Sequence, residues 1–201
     1  MAKIKVCGLM TEQDAVLLNE NQIHYGGMVL FFPKSKRNIT IEQAKKIIRK
    51  LNKEILKVAV VVSPTMEQTK QIEEAGFDII QIHGAMEEGV LESIHIPVWK
   101  AFNVKDLAHY EKYARNEKIK GYVFDAATPG SGQVFDWNSM KEIPRDGKLW
   151  ILAGGLKKEN VKEAIQCVSP DVVDVSSGVE CDDKKGKDAD KIKEFANEVR
   201  R

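Results

Sequence analysis

The sequence predicts an α/β fold of the (β/α)8 type, a TIM barrel in a single domain over residues 1–201, on three observations. Eight short apolar runs alternate with amphipathic, charge-rich stretches, in units of about 25 residues. That alternation calls for a parallel sheet whose strands are joined by crossover helices. The last two runs each end in a small-residue break, Ala153 into Gly154-Gly155 and Val175 into Ser176-Ser177-Gly178. Breaks after the last two strands are where such a barrel holds phosphate. Small residues let backbone N–H groups approach an anion, and a following helix adds a favourable dipole. An open doubly wound sheet would show the same alternation, but the turn after the first run lacks the GxGxxG pattern of dinucleotide folds.

The elements follow in order. The first strand, over 4–7, stops at Gly8. Thr11 and Asp14 are spaced as a capping box for a helix over 11–21. A second strand is expected over 28–32, and then a helix over 40–52 with Ile41, Ala44, Ile47, Ile48 and Leu51 on one face. A strand over 57–62 leads to a helix over 65–75, stopped by Gly76. Strands over 79–83, 98–102 and 121–125 come next, with a short helical stretch at 87–93 and a longer helix at 105–116. A weak helical stretch at 138–142 precedes the strands over 150–153 and 172–175, and helices over 159–167 and 187–199 complete the chain.

Composition narrows the function. Hydrophobic content of 43% and charged content of 30% fit a folded globular chain rather than a disordered one. A net charge of +1 offers no electrostatic footprint for nucleic acid or an acidic membrane. The Lys184, Lys185, Lys187, Lys191, Lys193, Arg200 and Arg201 cluster is interleaved with acids and reads as a solvated helix face. Cys7, Cys167 and Cys181 are odd in number and widely spaced, which disfavours both a disulfide framework and a zinc site. His24, His95 and His109 lack neighbours at metal spacing, so no metal is expected. No signal segment precedes Lys3 and no apolar run is long enough for a membrane span, so a cytoplasmic address is expected.

Strand ends carry the candidate chemistry. Cys7 is either a buried small residue or a base or nucleophile, for which it must be a thiolate. Asp125 closes an apolar run as a capping group or a general acid. The loop Thr128-Pro129-Gly130-Ser131-Gly132 that follows is a lid or a plain surface loop. Arg37 is a surface arginine or a bidentate clamp for a carboxylate. His83 is a proton shuttle, a supporting hydrogen-bonding group or a satisfied core residue, and Lys100 stands near the end of the fifth strand.

Taken together, the stretches Lys5-Val6-Cys7-Gly8-Leu9, Phe31-Phe32-Pro33-Lys34-Ser35-Lys36-Arg37, Gln81-Ile82-His83-Gly84, Phe135-Asp136-Trp137, Leu152-Ala153-Gly154-Gly155-Leu156, Asp174-Val175-Ser176-Ser177-Gly178-Val179-Glu180 and Gly186-Lys187-Asp188 resemble the phosphoribosylanthranilate isomerase family, in order and across nearly the whole chain. The resemblance implies a (β/α)8 enzyme of tryptophan biosynthesis that performs an Amadori rearrangement on a phosphorylated small molecule, without organic cofactor or metal, as a monomer or homodimer. It further implies Asp125 as general acid and Cys7 as general base. Arg37 would bind the substrate carboxylate, His83 would line the pocket, and Gly130 and Gly132 would belong to the substrate-covering loop. Gly154, Gly155, Ser176, Ser177 and Gly178 would hold phosphate. Rival readings are the histidine-pathway aminoaldose isomerase, which would place an aspartate at the Cys7 position, indole-glycerol-phosphate synthase, which would need Lys100 as a catalytic lysine, and a catalytically silent phosphate-binding barrel.

Overall fold

In the computed structural model, which describes residues 1–87, 89–103, 112–113, 115–125 and 136–201, eight parallel strands close into a barrel. The strands are β1 (Lys3–Cys7), β2 (Tyr25–Leu30), β4 (Leu56–Val62), β5 (Ile79–His83), β6 (Val98–Asn103), β7 (Ile119–Asp125), β8 (Leu149–Leu152) and β9 (Val172–Val175). They pair in sequence order round the ring, and β1 closes it by pairing with both β2 and β9. The two-residue strand β3 (Asn38–Ile39) lies outside the ring against the end of β2. Helices α1 (Glu12–Glu20), α2 (Ile41–Ile48), α3 (Met66–Glu74), α4 (Val90–Ser93) and α5 (Val161–Val168) lie between strands, and α6 (Ala189–Arg200) follows β9. No helix among the described residues is long and apolar enough to cross a membrane.

Local sequence accounts for the helix starts. Thr11 with Asp14, Thr40 with Gln43 and Thr65 with Gln68 each form a complete capping box, the side chain of the third helical residue returning to the cap N–H. Strand alternation divides the apolar residues into two layers. Ile4, Val6, Leu18, Ile80 and Ile82 pack between barrel and helices, while Tyr25, Val58, Val60, Ile79, Trp99, Val123, Ile151 and Val172 fill the barrel. Tyr25 and Trp99 meet edge to face at 5.1 Å within that filling.

Several expectations are corrected. The strand expected over 28–32 runs from Tyr25 to Leu30 instead, because Gly26 and Gly27 are paired with both neighbouring strands. A Cβ on Gly26 would meet Leu9 and Leu18, so the glycines serve close packing within a strand rather than a turn. Phe31, at φ +56, ends the strand. The helix expected over 40–52 ends at Ile48. The helix expected from residue 187 begins at Ala189, where Asp188 caps it by accepting from Lys191 N–H. Lys187 therefore precedes the helix and does not belong to a solvated face: it is buried, and its Nζ donates to the Ser176 carbonyl at 3.2 Å. Most of the helix expected over 105–116 lies outside the described residues, although 112–113 are helical. The stretch expected at 138–142 is a 3-10 helix, Trp137–Glu142.

Candidate active site

A cavity of about 440 Å³ opens at the C-terminal ends of the barrel strands, within the size range of small-molecule sites. Cys7, Asp125, Arg37, His83, Gly154, Gly155, Ser176 and Ser177 all line it. Residues 160 or more apart in the chain thus share one wall because β1 and β9 are hydrogen-bonded neighbours. Gly130, Gly132 and the rest of the loop after Asp125 lie outside the described residues.

Cys7 ends β1 and Asp125 ends β7, three strands away round the ring. Beside Cys7, the barrel interior holds a buried ion pair, Lys5 Nζ to Asp174 Oδ2 at 2.6 Å. Burial by itself would lower the Lys5 proton affinity, but the Asp174 charge and hydrogen bond, aided by Cys7 once it ionises, keep it above its ordinary value. Burial pushes the Cys7 thiol up from its ordinary 9.0, with Asp174 adding to the rise, while Lys5 and Lys187 pull the other way without cancelling it. The resting thiol is therefore protonated near neutrality.

Arg37 is held from three directions. Pairing of β3 with β2 fixes the chain just after it. Its Nε donates to the Glu180 carboxylate, which also accepts from Lys36 Nζ at 2.9 Å. Burial alone would raise the Glu180 pKa, but the Arg37 and Lys36 hydrogen bonds and the Lys187 charge hold it at about 2, so it stays a carboxylate. The Arg37 stem crosses Gly8, whose φ is +79 and where a Cβ would lie 2.6 Å from Arg37 Cδ. That close approach is the physical reason for glycine after Cys7. One guanidinium nitrogen, Nη2, is buried without a hydrogen-bond partner among the described residues. A buried guanidinium donor in this state suits an acceptor that enters the cavity.

His83 is neutral at any physiological pH. Burial, then the charges of Lys100 and Lys5, push its pKa down to about 3. Its Nε2 lies 2.9 Å from the Gln81 side-chain amide nitrogen, and both residues line the cavity. Lys100 is on the other face of its strand. Its Nζ donates to the Ala101 carbonyl at 2.7 Å and lies over the Phe102 and Tyr113 rings, between barrel and helices. It does not line the cavity, which removes the reading that needs it as a catalytic lysine.

The two small-residue breaks meet. Gly154 and Gly155 have φ of +85 and +65. Gly178 does not line the cavity itself; a Cβ there would stand 2.3 Å from the Leu156 carbonyl oxygen, so its bare backbone lets the second break pack against the first. The second break leads into one short 3-10 turn, Ser177–Val179, rather than a full helix. The expected helix dipole there is reduced to that turn, and backbone amides carry the anion-binding potential. Ser176 Oγ is turned away from this role and donates to the Cys7 carbonyl at 2.9 Å. With Lys34, Lys36 and Arg37 at its rim, the cavity suits a ligand carrying two negative groups.

The family described as PRAI, N-(5'-phosphoribosyl)anthranilate isomerase, matches residues 4–198. The chain belongs to the N-(5'-phosphoribosyl)anthranilate isomerase family. A relative of that name from Streptococcus mutans is 37% identical over 202 residues, covering all of both chains. Among solved structures, the phosphoribosyl anthranilate isomerase of Thermotoga maritima superposes with a TM-score of 0.88 at 32% identity, covering 100% of this chain and 99% of that one. Another structure of the family, in complex with reduced 1-(o-carboxyphenylamino)-1-deoxyribulose 5-phosphate, superposes at 0.85 with 32% identity and covers 100% and 99%. In this isomerase chain Gln81 and Asp174 also line the cavity, and Lys5 and Glu180 pair with the lining residues Asp174 and Arg37, although sequence reasoning assigned none of the four a role. Period-two alternation could have found Lys5 and Asp174, since each shares its strand's inward face with a candidate, Cys7 or Ser176.

Proposed function

We propose that the chain converts N-(5-phosphoribosyl)anthranilate to 1-(2-carboxyphenylamino)-1-deoxyribulose 5-phosphate with Asp125 as general acid and Cys7 as general base. This is the isomerase step of tryptophan biosynthesis. Asp125 protonates the ribose ring oxygen while the anilino nitrogen lone pair expels it, opening the sugar to an iminium ion. The Cys7 thiolate then removes the proton from sugar carbon 2, and its C–H electron pair neutralises the iminium to give an enolamine. Protonation at carbon 1 and loss of the carbon 2 hydroxyl proton give the ketone. The two proton transfers occur at different atoms, so an acid and a base on separate strands of one cavity suit them. The observation that carries the reading is that Cys7 and Asp125 line the same cavity as the two small-residue breaks and Arg37.

The remaining residues orient a substrate with two anionic ends. Arg37 binds the anthranilate carboxylate, and Gly154, Gly155 and Ser177 offer backbone amides to the phosphate, with Gly178 allowing their approach. Replacing Arg37 with Ala is expected to raise KM about 10- to 100-fold with a smaller change in kcat, as loss of a charge-assisted hydrogen bond made in ground and transition states alike. Steady-state kinetics check this split. His83→Asn is expected to lower kcat less than about tenfold and to leave the shape of the pH profile unchanged, because a histidine with a pKa of about 3 does not titrate where the enzyme works. The direct test of the function is loss of anthranilate fluorescence when purified protein meets freshly made phosphoribosylanthranilate. Rapid loss is expected; binding of the substrate without turnover would contradict the reading.

A further inference from the structure

We propose that Lys5 is a positioning residue for the base: its ammonium, anchored on Asp174, stabilises the Cys7 thiolate that removes the carbon 2 proton. The inference rests on the reading of Cys7 as base. Its geometric ground is the interior face of β1. Lys5 and Cys7 are two residues apart on one strand and therefore point to the same side. Both lie over Gly27 of the paired strand, where a Cβ would be 3.1 Å from Lys5 Nζ and 3.1 Å from Cys7 Sγ. The bare glycine is the space in which the two side chains approach each other.

A fully buried lysine inside a barrel requires a reason. Asp174 Oδ2 neutralises it at 2.6 Å but takes only one of its three N–H donors. Oδ1 of Asp174 has no hydrogen-bond partner among the described residues, so the pair is not a closed structural bridge. Such a pair stabilises a fold weakly, since the cost of desolvating both charges offsets most of their attraction. Set beside a thiol, the same cation has a strong effect, because burial leaves the thiolate poorly solvated. The other charged groups bearing on Cys7 are Asp174 itself from β9, which opposes the thiolate, and Lys187 from the segment before α6, which favours it. Asp125 and His83 line other parts of the cavity wall, and His83 is neutral. Of the two cations favouring the thiolate, Lys5 has the larger effect.

The test measures the Cys7 thiol directly. Wild type, Lys5→Met and Lys5→Met/Asp174→Asn are alkylated with iodoacetamide across a pH series, and the Cys7 peptide is followed by mass spectrometry, separately from Cys167 and Cys181. The double variant leaves no unpaired charge at the former ion pair and so keeps the fold available if the single variant loses it. The alkylation midpoint is expected to rise by about one pH unit or more in Lys5→Met, and to remain above wild type in the double variant, because Lys5 outweighs Asp174. In turnover, kcat is expected to fall about tenfold at neutral pH and to converge towards wild type only above the wild-type alkylation midpoint, where the wild-type thiolate fraction levels off. A merely structural defect would lower kcat equally at all pH values. A wild-type midpoint in the folded variants would overturn the role of Lys5 while leaving Cys7 as base. Undiminished turnover by Cys7→Ala would instead overturn the base assignment and leave the midpoints as measured.

Discussion

Cys7→Ala is expected to lower kcat by about 10²- to 10⁴-fold with little change in thermal stability. The side chain is small and borders the cavity rather than filling the core, so its loss leaves no large void. What disappears is the proposed acceptor of the carbon 2 proton, for which water is a poor substitute, being weakly basic. The wild-type pH dependence follows from the same residue. A base acts only when deprotonated, and the Cys7 pKa lies above its ordinary 9.0. Thiolate is therefore the minor form through the neutral range and increases about tenfold per pH unit there. We expect kcat/KM to climb with pH between about 6 and 8.5, with no plateau below 8. A plateau starting near pH 7 would mean that the base is a different group or that the thiolate is far better stabilised than the cavity accounts for.

Asp125→Asn is expected to reduce kcat by a comparable factor, about 10²- to 10⁴-fold, for a different reason. The amide is nearly isosteric with the carboxylic acid, so the largely buried site at the end of β7 keeps its packing. It has no proton to transfer to the ring oxygen, and the closed sugar is a poor carbon acid, because carbon 2 becomes acidic only once the iminium exists. The double variant Cys7→Ala/Asp125→Asn should therefore be little worse than either single variant, since the two residues serve consecutive parts of one sequence of steps. Strictly multiplicative losses, measured by single-turnover kinetics, would show that the two groups act independently.

Most residues that line this cavity at strand ends are legible in the sequence, and the features that are not share a physical cause. Cys7, Arg37, Asp125 and the two breaks stand at strand ends, where a change from apolar to polar or small residues is visible in one dimension. The capping boxes at Thr11, Thr40 and Thr65 are equally local, each determined by residues three positions apart. Gly26 and Gly27 fall outside the strand expected over 28–32, because their role depends on Leu9, Leu18, Cys7 and Lys5, which only barrel closure brings near. Lys187 looked solvated for the same reason. Its partners Ser176 and Glu180 belong to a turn that the chain must fold back to reach. Lys5 and Asp174 lie 169 residues apart, and only the pairing of β1 with β9 makes them an ion pair. Interactions spaced along one element are readable from sequence; those that depend on which strands become neighbours are not.

The central claim, that the Cys7 sulfur takes the carbon 2 proton, is tested most directly by following that hydrogen. Phosphoribosylanthranilate labelled with tritium at sugar carbon 2 is incubated with wild type and with Cys7→Ala, and loss of label from carbon 2 is measured against time. Wild-type enzyme is expected to remove the label at the rate of turnover, and Cys7→Ala to leave it in place over many wild-type turnovers. Removal of the label by Cys7→Ala at the wild-type rate would contradict the account.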